Sequence, residues 1–286
     1  MAEEKTIRAE LSGAGGADGA AKAAAEKAAE KNPLLKPRPL PKRFYKTVSV
    51  ELRDGLYAVL LDGRGVKTPA RQALAVPSKA LAELAADEFR LQEKVINPAL
   101  MPITRLGNTV IDAIAADMQP VQEDILRYLA CDMVFYRAEY PEGLVKLQAE
   151  SWDKALDWAW REMGAEFAPR AGIMFAAQKP EALAAAGGYL RRWMRPREEG
   201  GNYRAADLPY AVAALHMMTS LTGSALLALM GAAGALSVAE TWQLGHLEED
   251  WTIAHWGKDA EAMAKRADAE RDFYAAAAAL AALKAA

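Results

Sequence analysis

The chain has 286 residues, 52% of them apolar, and a formal net charge of -3. That is enough apolar material for the core of one or two domains, and it excludes general disorder. The charge balance gives no support for a nucleic acid partner. A single cysteine, Cys131, excludes an internal disulfide framework, and three histidines argue against a dedicated zinc or iron centre.

Residues 1–42 read as a leader and linker: an Ala-Lys-rich stretch, AKAAAEKAAEK, precedes Pro33, Pro37, Pro39 and Pro41, which forbid a continuing helix. The start lacks the basic and then apolar order of an export signal. Residues 43–118 are expected to form a small β-containing domain. Val48 and Val50 alternate with polar neighbours, Asp54-Gly55 signals a turn, and Tyr57, Val59 and Leu61 resume the alternation. Asp62-Gly63 opens a second turn within LDGRGVKTP, a scaffold turn in which Gly63 or Gly65 takes up unusual backbone angles, Lys67 displays charge and Pro69 stops pairing. Ser78 is placed to cap a helix through Leu81, Leu84, Ala85, Glu88 and Phe89. After Pro98 and Pro102, Leu106, Val110 and Ile114 repeat at helical spacing.

Residues 119–286 read as a helical domain, so the class is α+β: a small N-terminal antiparallel β or mixed domain, then a larger all-helical one. Pro120 opens a helix with Ile125, Leu126, Leu129 and Val134 apolar, and Trp152, Leu156, Ala159, Trp160 and Met163 form the next buried stripe. Asp207 is expected to cap the following uncharged run. From Leu208 to Ala239 that run has no Asp, Glu, Lys or Arg, long enough to cross a bilayer. Internal glycines and polar residues, without flanking basic clusters, make it two core helices instead. Ser237 and Glu240 form a capping box for the next helix.

Catalytic motifs are missing. GAGGADG has no preceding strand, DGRG lacks the lysine of a phosphate loop, and Ser224 lacks the flanking glycines of a nucleophile elbow. Nine residues separate His246 from His255, about 180° on a helix, so they cannot share a metal there. His216 reads as a packed histidine satisfied by one buried partner, and Cys131 as a small buried apolar side chain. What remains is acidic: Glu240, Glu248, Glu249, Asp250 and Asp259 would share one broad face if they lay on one continuous helix. With Trp251 and Trp256 they make a candidate partner-binding surface; core packing is the competing role for the tryptophans.

Five ordered blocks, RFYKTV, LDGRGVKTPARQALAVPS, INPALMPITRLGNTVID, QAESWDKALDWA and LEEDWTIAHWG, resemble the assembly chaperones of F1-ATPase that protect the alpha subunit of ATP synthase. The resemblance spans about residues 43 to 275 and carries motif residues over. In the first block these are Asp62, Gly63, Lys67, Thr68 and Pro69. In the second they are Met101, Pro102, Thr104, Arg105, Asn108 and Asp112, and in the third Gln148, Trp152 and Asp153. Glu248, Glu249, Trp256 and Gly257 match the last block, and Glu240 the turn before it. The chain departs from the pattern at Thr252 and Phe135 and is richer in alanine in the final helices. The resemblance implies a non-enzymatic, soluble, cytoplasmic bacterial protein without cofactors, monomeric when free. Its client would be the unassembled F1 alpha subunit, covered until the beta subunit takes its place. A permanent subunit of a complex and a small-molecule enzyme using the acidic cluster are the alternatives.

Overall fold

The computed structural model describes residues 39–284, and from Arg43 onward they belong to one compact unit. The leader and the linker as far as residue 38 lie outside the described residues. Most of the strands lie in the N-terminal part and helices dominate the C-terminal part, the α+β class expected.

Two Asp-Gly turns build the sheet. Strand β1 (Val48–Arg53) pairs antiparallel with β2 (Leu56–Leu61), with Val48 opposite Leu61 and Arg53 opposite Leu56. Only Asp54 (φ 51) and Gly55 (φ 81) are left between them, both in the left-handed region that matches the twist of the strands. Asp62 (φ 48) and Gly63 (φ 77) repeat the device between β2 and β3 (Arg64–Gly65), and β4 (Ala75–Val76) also pairs with β2. The Asp62 carboxylate accepts from the backbone N–H of Thr47 (2.8 Å) and Lys46 (3.0 Å) and from the Thr47 hydroxyl (2.9 Å). Those bonds hold its carboxyl below the usual range. Val48 and Val50 alternate with exposed neighbours as expected, whereas β2 is buried on both faces from Ala58 to Leu61. A strand covered on both faces loses the alternating signature.

Helix α1 (Lys79–Arg90) starts at Ser78, whose hydroxyl accepts from Leu81 N–H (3.3 Å) and donates to the carbonyl of Ala282 (3.0 Å). Glu88, also on α1, is buried and serves a different helix. Its carboxylate accepts from Ile103 N–H (2.6 Å) and Thr104 N–H (2.8 Å) in the first turn of α2 (Pro102–Thr109). Burial pushes this carboxyl up despite those bonds. A widened π-helical turn, Val110–Ile114, continues α2.

Next come α3 (Gln119–Ala130) and α4 (Glu142–Trp158), the latter prolonged by a second widened turn, Ala159–Met163. Of the expected stripe, Trp152, Ala159 and Met163 are buried, but Trp160 is 60% exposed. Eight residues past Trp152 on a regular helix, Trp160 lies about 80° round from it and so leaves the buried face. Two further expectations fail near α3. Val134 lies in a short turn after the helix, and Cys131 is exposed where the backbone leaves it (φ -139).

After α5 (Pro180–Trp193), the uncharged run forms α6 (Leu208–Thr222) and α7 (Ala225–Ala233), broken at Gly223 (φ 69) and restarted by Ser224, which caps through Leu227 N–H (3.0 Å). Both helices are buried nearly all round. Asp207 does not cap α6 with its side chain; it pairs with Arg204 at 2.6 and 3.0 Å. Among the described residues no helix is long and apolar enough to cross a membrane. Asp132, fully buried, accepts from Val134 N–H (3.2 Å) and from Leu226 N–H (2.9 Å) at the start of α7, and burial pushes its carboxyl up to about 6. Helices α8 (Val238–Gly245), α9 (Leu247–Trp256) and α10 (Ala260–Lys284) complete the chain, α10 packing along α6 and returning to α1 and α2.

Candidate functional site

The acidic residues do not share one helix. The chain breaks at His246 (φ -118, ψ 18) and at Gly257 (φ 89), so they fall on three helices and their caps. Glu240 closes the expected capping box, its carboxylate accepting from Ser237 N–H at 2.8 Å while the Ser237 hydroxyl accepts from Glu240 N–H at 3.1 Å. Asp259 accepts from Ala262 N–H (2.8 Å) and caps α10. Glu249 and Asp250 face Arg266 of α10 at 3.3 and 2.6 Å, which braces α9 against the last helix.

Glu248 turns the other way. It is exposed, and its carboxylate accepts from the side-chain amide of Gln148 on α4. Gln148 is fully buried and held from several sides: its amide oxygen accepts from Ala138 N–H (2.8 Å) and its carbonyl from Arg137 (3.0 Å). Arg137 pairs with Asp153 at 3.0 Å and lies over the Trp152 ring at 5.4 Å, and the Trp152 indole donates to the carbonyl of Leu244 at 2.9 Å. Gln148, Trp152, Asp153 and Glu248 therefore meet at one junction of α4, α8 and α9. Trp251 is half-buried against Gly143, where an added Cβ would come within 2.7 Å of the indole ring. Trp256 is 73% exposed.

Beside Glu248 lies a surface that sequence reasoning missed. Strand β5 (Tyr136–Arg137) pairs in parallel with β6 (Arg170–Ala171), and Gly172 (φ 85) donates to the Arg137 carbonyl (2.9 Å) before the chain turns out. The next residues, Ile173, Met174 and Phe175, are exposed, Ile173 to 99%, and Tyr140 is exposed to 80%. With Glu248 and Tyr136, Tyr140 and Ile173 line a shallow depression of about 360 Å³. The only local signal was an apolar triplet after glycine, too short to carry a period.

The first two motif blocks meet elsewhere. Asp112 accepts from the Thr68 hydroxyl (2.5 Å) and from Ala70 N–H (3.0 Å), holding the turn that contains Pro69. Arg105 pairs with Asp272 of α10 at 2.5 Å. His216 meets one partner, Asp124 at 2.6 Å, but both side chains are about a third exposed, so the partner is not buried as expected. Among the described residues no group of three or more His, Cys, Asp or Glu is arranged to hold a metal ion.

The chain thus joins a β-containing region to a helical one, with polar locks inside and acidic, aromatic and apolar side chains outside. Residues 42–160 match the profile of the ATP12 chaperone protein family. The chain is 47% identical to a chaperone candidate from Agrobacterium tumefaciens, whose crystal structure it matches with a TM-score of 0.77 over 87% of this chain and 89% of that one. It is 30% identical to the ATP12 protein of Paracoccus denitrificans, with a TM-score of 0.72 over 85% of this chain and 98% of that one. The mitochondrial ATP12 protein of Schizosaccharomyces pombe is 24% identical over 230 residues, 77% of this chain and 75% of the relative. The chain belongs to the ATP12 chaperone family. Membership of a family of chaperones, not enzymes, agrees with the expectation of a protein that catalyses nothing.

Proposed function

We propose that the protein binds the unassembled alpha subunit of F1 ATP synthase in the bacterial cytoplasm, covers surface that would otherwise self-associate, and yields it to the beta subunit. Coverage of a sticky surface lowers its free concentration by mass action and needs no nucleotide. Release is then an exchange with a partner that buries more complementary area. The observation that carries this reading, beside family membership, is the apolar surface of Tyr140 and Ile173–Phe175 set against the exposed carboxylate of Glu248. Apolar side chains supply the desolvation energy of an interface while a rim carboxylate steers a basic partner. Trp256, exposed at the end of α9, adds to the proposed surface, and Trp251 packs against Gly143 on the Glu248 side; Glu249 and Asp250 lie on the opposite side of α9 and contribute by bracing it through Arg266. Glu240 and Asp259 contribute as the caps that set the helix ends.

Refolding of the purified alpha subunit with and without the chain tests the proposal. The expected result is soluble alpha subunit bound in a complex that added beta subunit dissolves. Unchanged aggregation in the presence of folded chaperone contradicts it, and a complex that persists in the finished synthase marks a permanent subunit.

A further inference from the structure

A second concavity, of about 360 Å³, opens between the sheet and α2. Its floor is apolar, formed by Leu61, Val66, Phe89, Ile96 and Met101. One wall is not. Arg105 and Asn108 sit three residues apart on α2 and so share a face. Each presents a buried atom without a hydrogen-bond partner: Nε–H of Arg105, a donor, and Oδ1 of Asn108, an acceptor. Arg105 spends its terminal nitrogen on Asp272, which leaves Nε unserved. A buried polar group without a partner is costly, so two such atoms on residues lining one cavity call for an explanation.

The rim is cationic. Arg64 and Lys67 are exposed, and their side chains pair with no acid among the described residues. The lining contains no Asp or Glu, and Phe44 stands 73% exposed at its edge. This is the opposite charge character to the Glu248 surface, so one client chemistry does not suit both.

We infer that this cavity reads an extended acidic peptide segment of a partner protein, seating one aliphatic or aromatic side chain on the floor. The adjoining peptide group meets the orphan pair, its carbonyl accepting from Arg105 and its N–H donating to Asn108. Flanking carboxylates meet Arg64 and Lys67. An acyl chain would fill the floor and satisfy a cation, but it has no amide to offer the wall, so the orphan donor and acceptor together select a peptide. The inference goes beyond the chaperone reading and does not depend on the identity of the client.

The test uses the full chain, followed by amide NMR at Gly65 and at the Asn108 side chain. The probes are the blocked tripeptide Glu-Phe-Glu, its Lys-Phe-Lys counterpart and hexanoate. Saturable shifts with Glu-Phe-Glu in the millimolar range or tighter, and weaker shifts with the other two, are expected. Asn108→Leu removes an unmet acceptor, so it keeps or raises the melting temperature while weakening Glu-Phe-Glu by roughly tenfold or more. Lys67→Glu, on the surface, turns the preference toward Lys-Phe-Lys and serves as the check should Asn108→Leu disturb the fold. Equal binding of both charged peptides, hexanoate binding as well as the peptide, or no saturable shift overturns the inference. Because Glu248→Lys leaves this site intact, loss of alpha-subunit capture in that variant with tripeptide binding retained keeps the two claims separate.

Discussion

Carboxylates do opposite work in two regions of this molecule. Glu88 and Asp132 are buried: Glu88 accepts two backbone N–H groups from the start of α2, and Asp132 accepts one from Val134 in its own turn and one from Leu226 at the start of α7. On α9, Glu248, Glu249 and Asp250 meet only side chains, at or near the surface. The buried pair is costly to charge and hard to exchange, because removing it strands donors that nothing else can reach. A surface carboxylate can trade its partner for one on another protein at small cost. The first region holds the fold; the second is where binding can be placed without endangering it.

The sharpest way to break the contrast is pH. The Asp132 carboxyl is raised by burial to about 6 from an ordinary value of 3.8. A raised folded-state value means its contribution is complete below the unfolded value and is lost as pH rises through the folded one. Between about pH 4 and pH 6, stability should fall by on the order of 3 kcal/mol from this group. Denaturant titrations across that window should show the slope, and Asp132→Asn, measured at each pH, should flatten it. Next in size, Asp112→Ala should cost about 2 kcal/mol, since the Thr68 hydroxyl and Ala70 N–H lose their acceptor, while the folded fraction still captures alpha subunit normally. A smaller loss, about 1 kcal/mol, is expected of Glu249→Lys, which sets a cation against Arg266 in place of an ion pair. Chemical denaturation ranks the two.

What was legible in the sequence follows from how local each signal is. The hairpins were, because Asp-Gly turns and the flanking alternation act within a few residues. The Ser78 cap and the Ser237–Glu240 box were legible for the same reason. Failures came where the surroundings decide: β2 lost its alternation because both its faces are covered, Trp160 lies at the edge of its helix's apolar stripe and ends up outside, and Cys131 was exposed by the chain leaving α3. The acidic face failed on two breaks, at His246 and at Gly257, that the spacing of the acids does not show. Motif residues such as Asp112 and Gln148 were named by resemblance alone; that they meet Thr68 and Glu248 is a fact of tertiary packing no spacing encodes. The exposed Ile173–Phe175 loop was invisible because exposure belongs to the fold, not to the segment.

The claim that α9 and its apolar neighbour form the client surface is tested most directly by calorimetric titration of purified alpha subunit into three chains: unmodified, Glu248→Lys and Ile173→Ser. Ile173→Ser lies at an exposed position and should leave folding stability within about 0.5 kcal/mol, whereas Glu248→Lys also takes the acceptor from the buried Gln148 amide and should cost about 1–2 kcal/mol, so both are titrated under conditions where each chain is shown to be folded. The account predicts that each weakens capture by roughly tenfold or more. Wild-type affinity in both folded variants would contradict it.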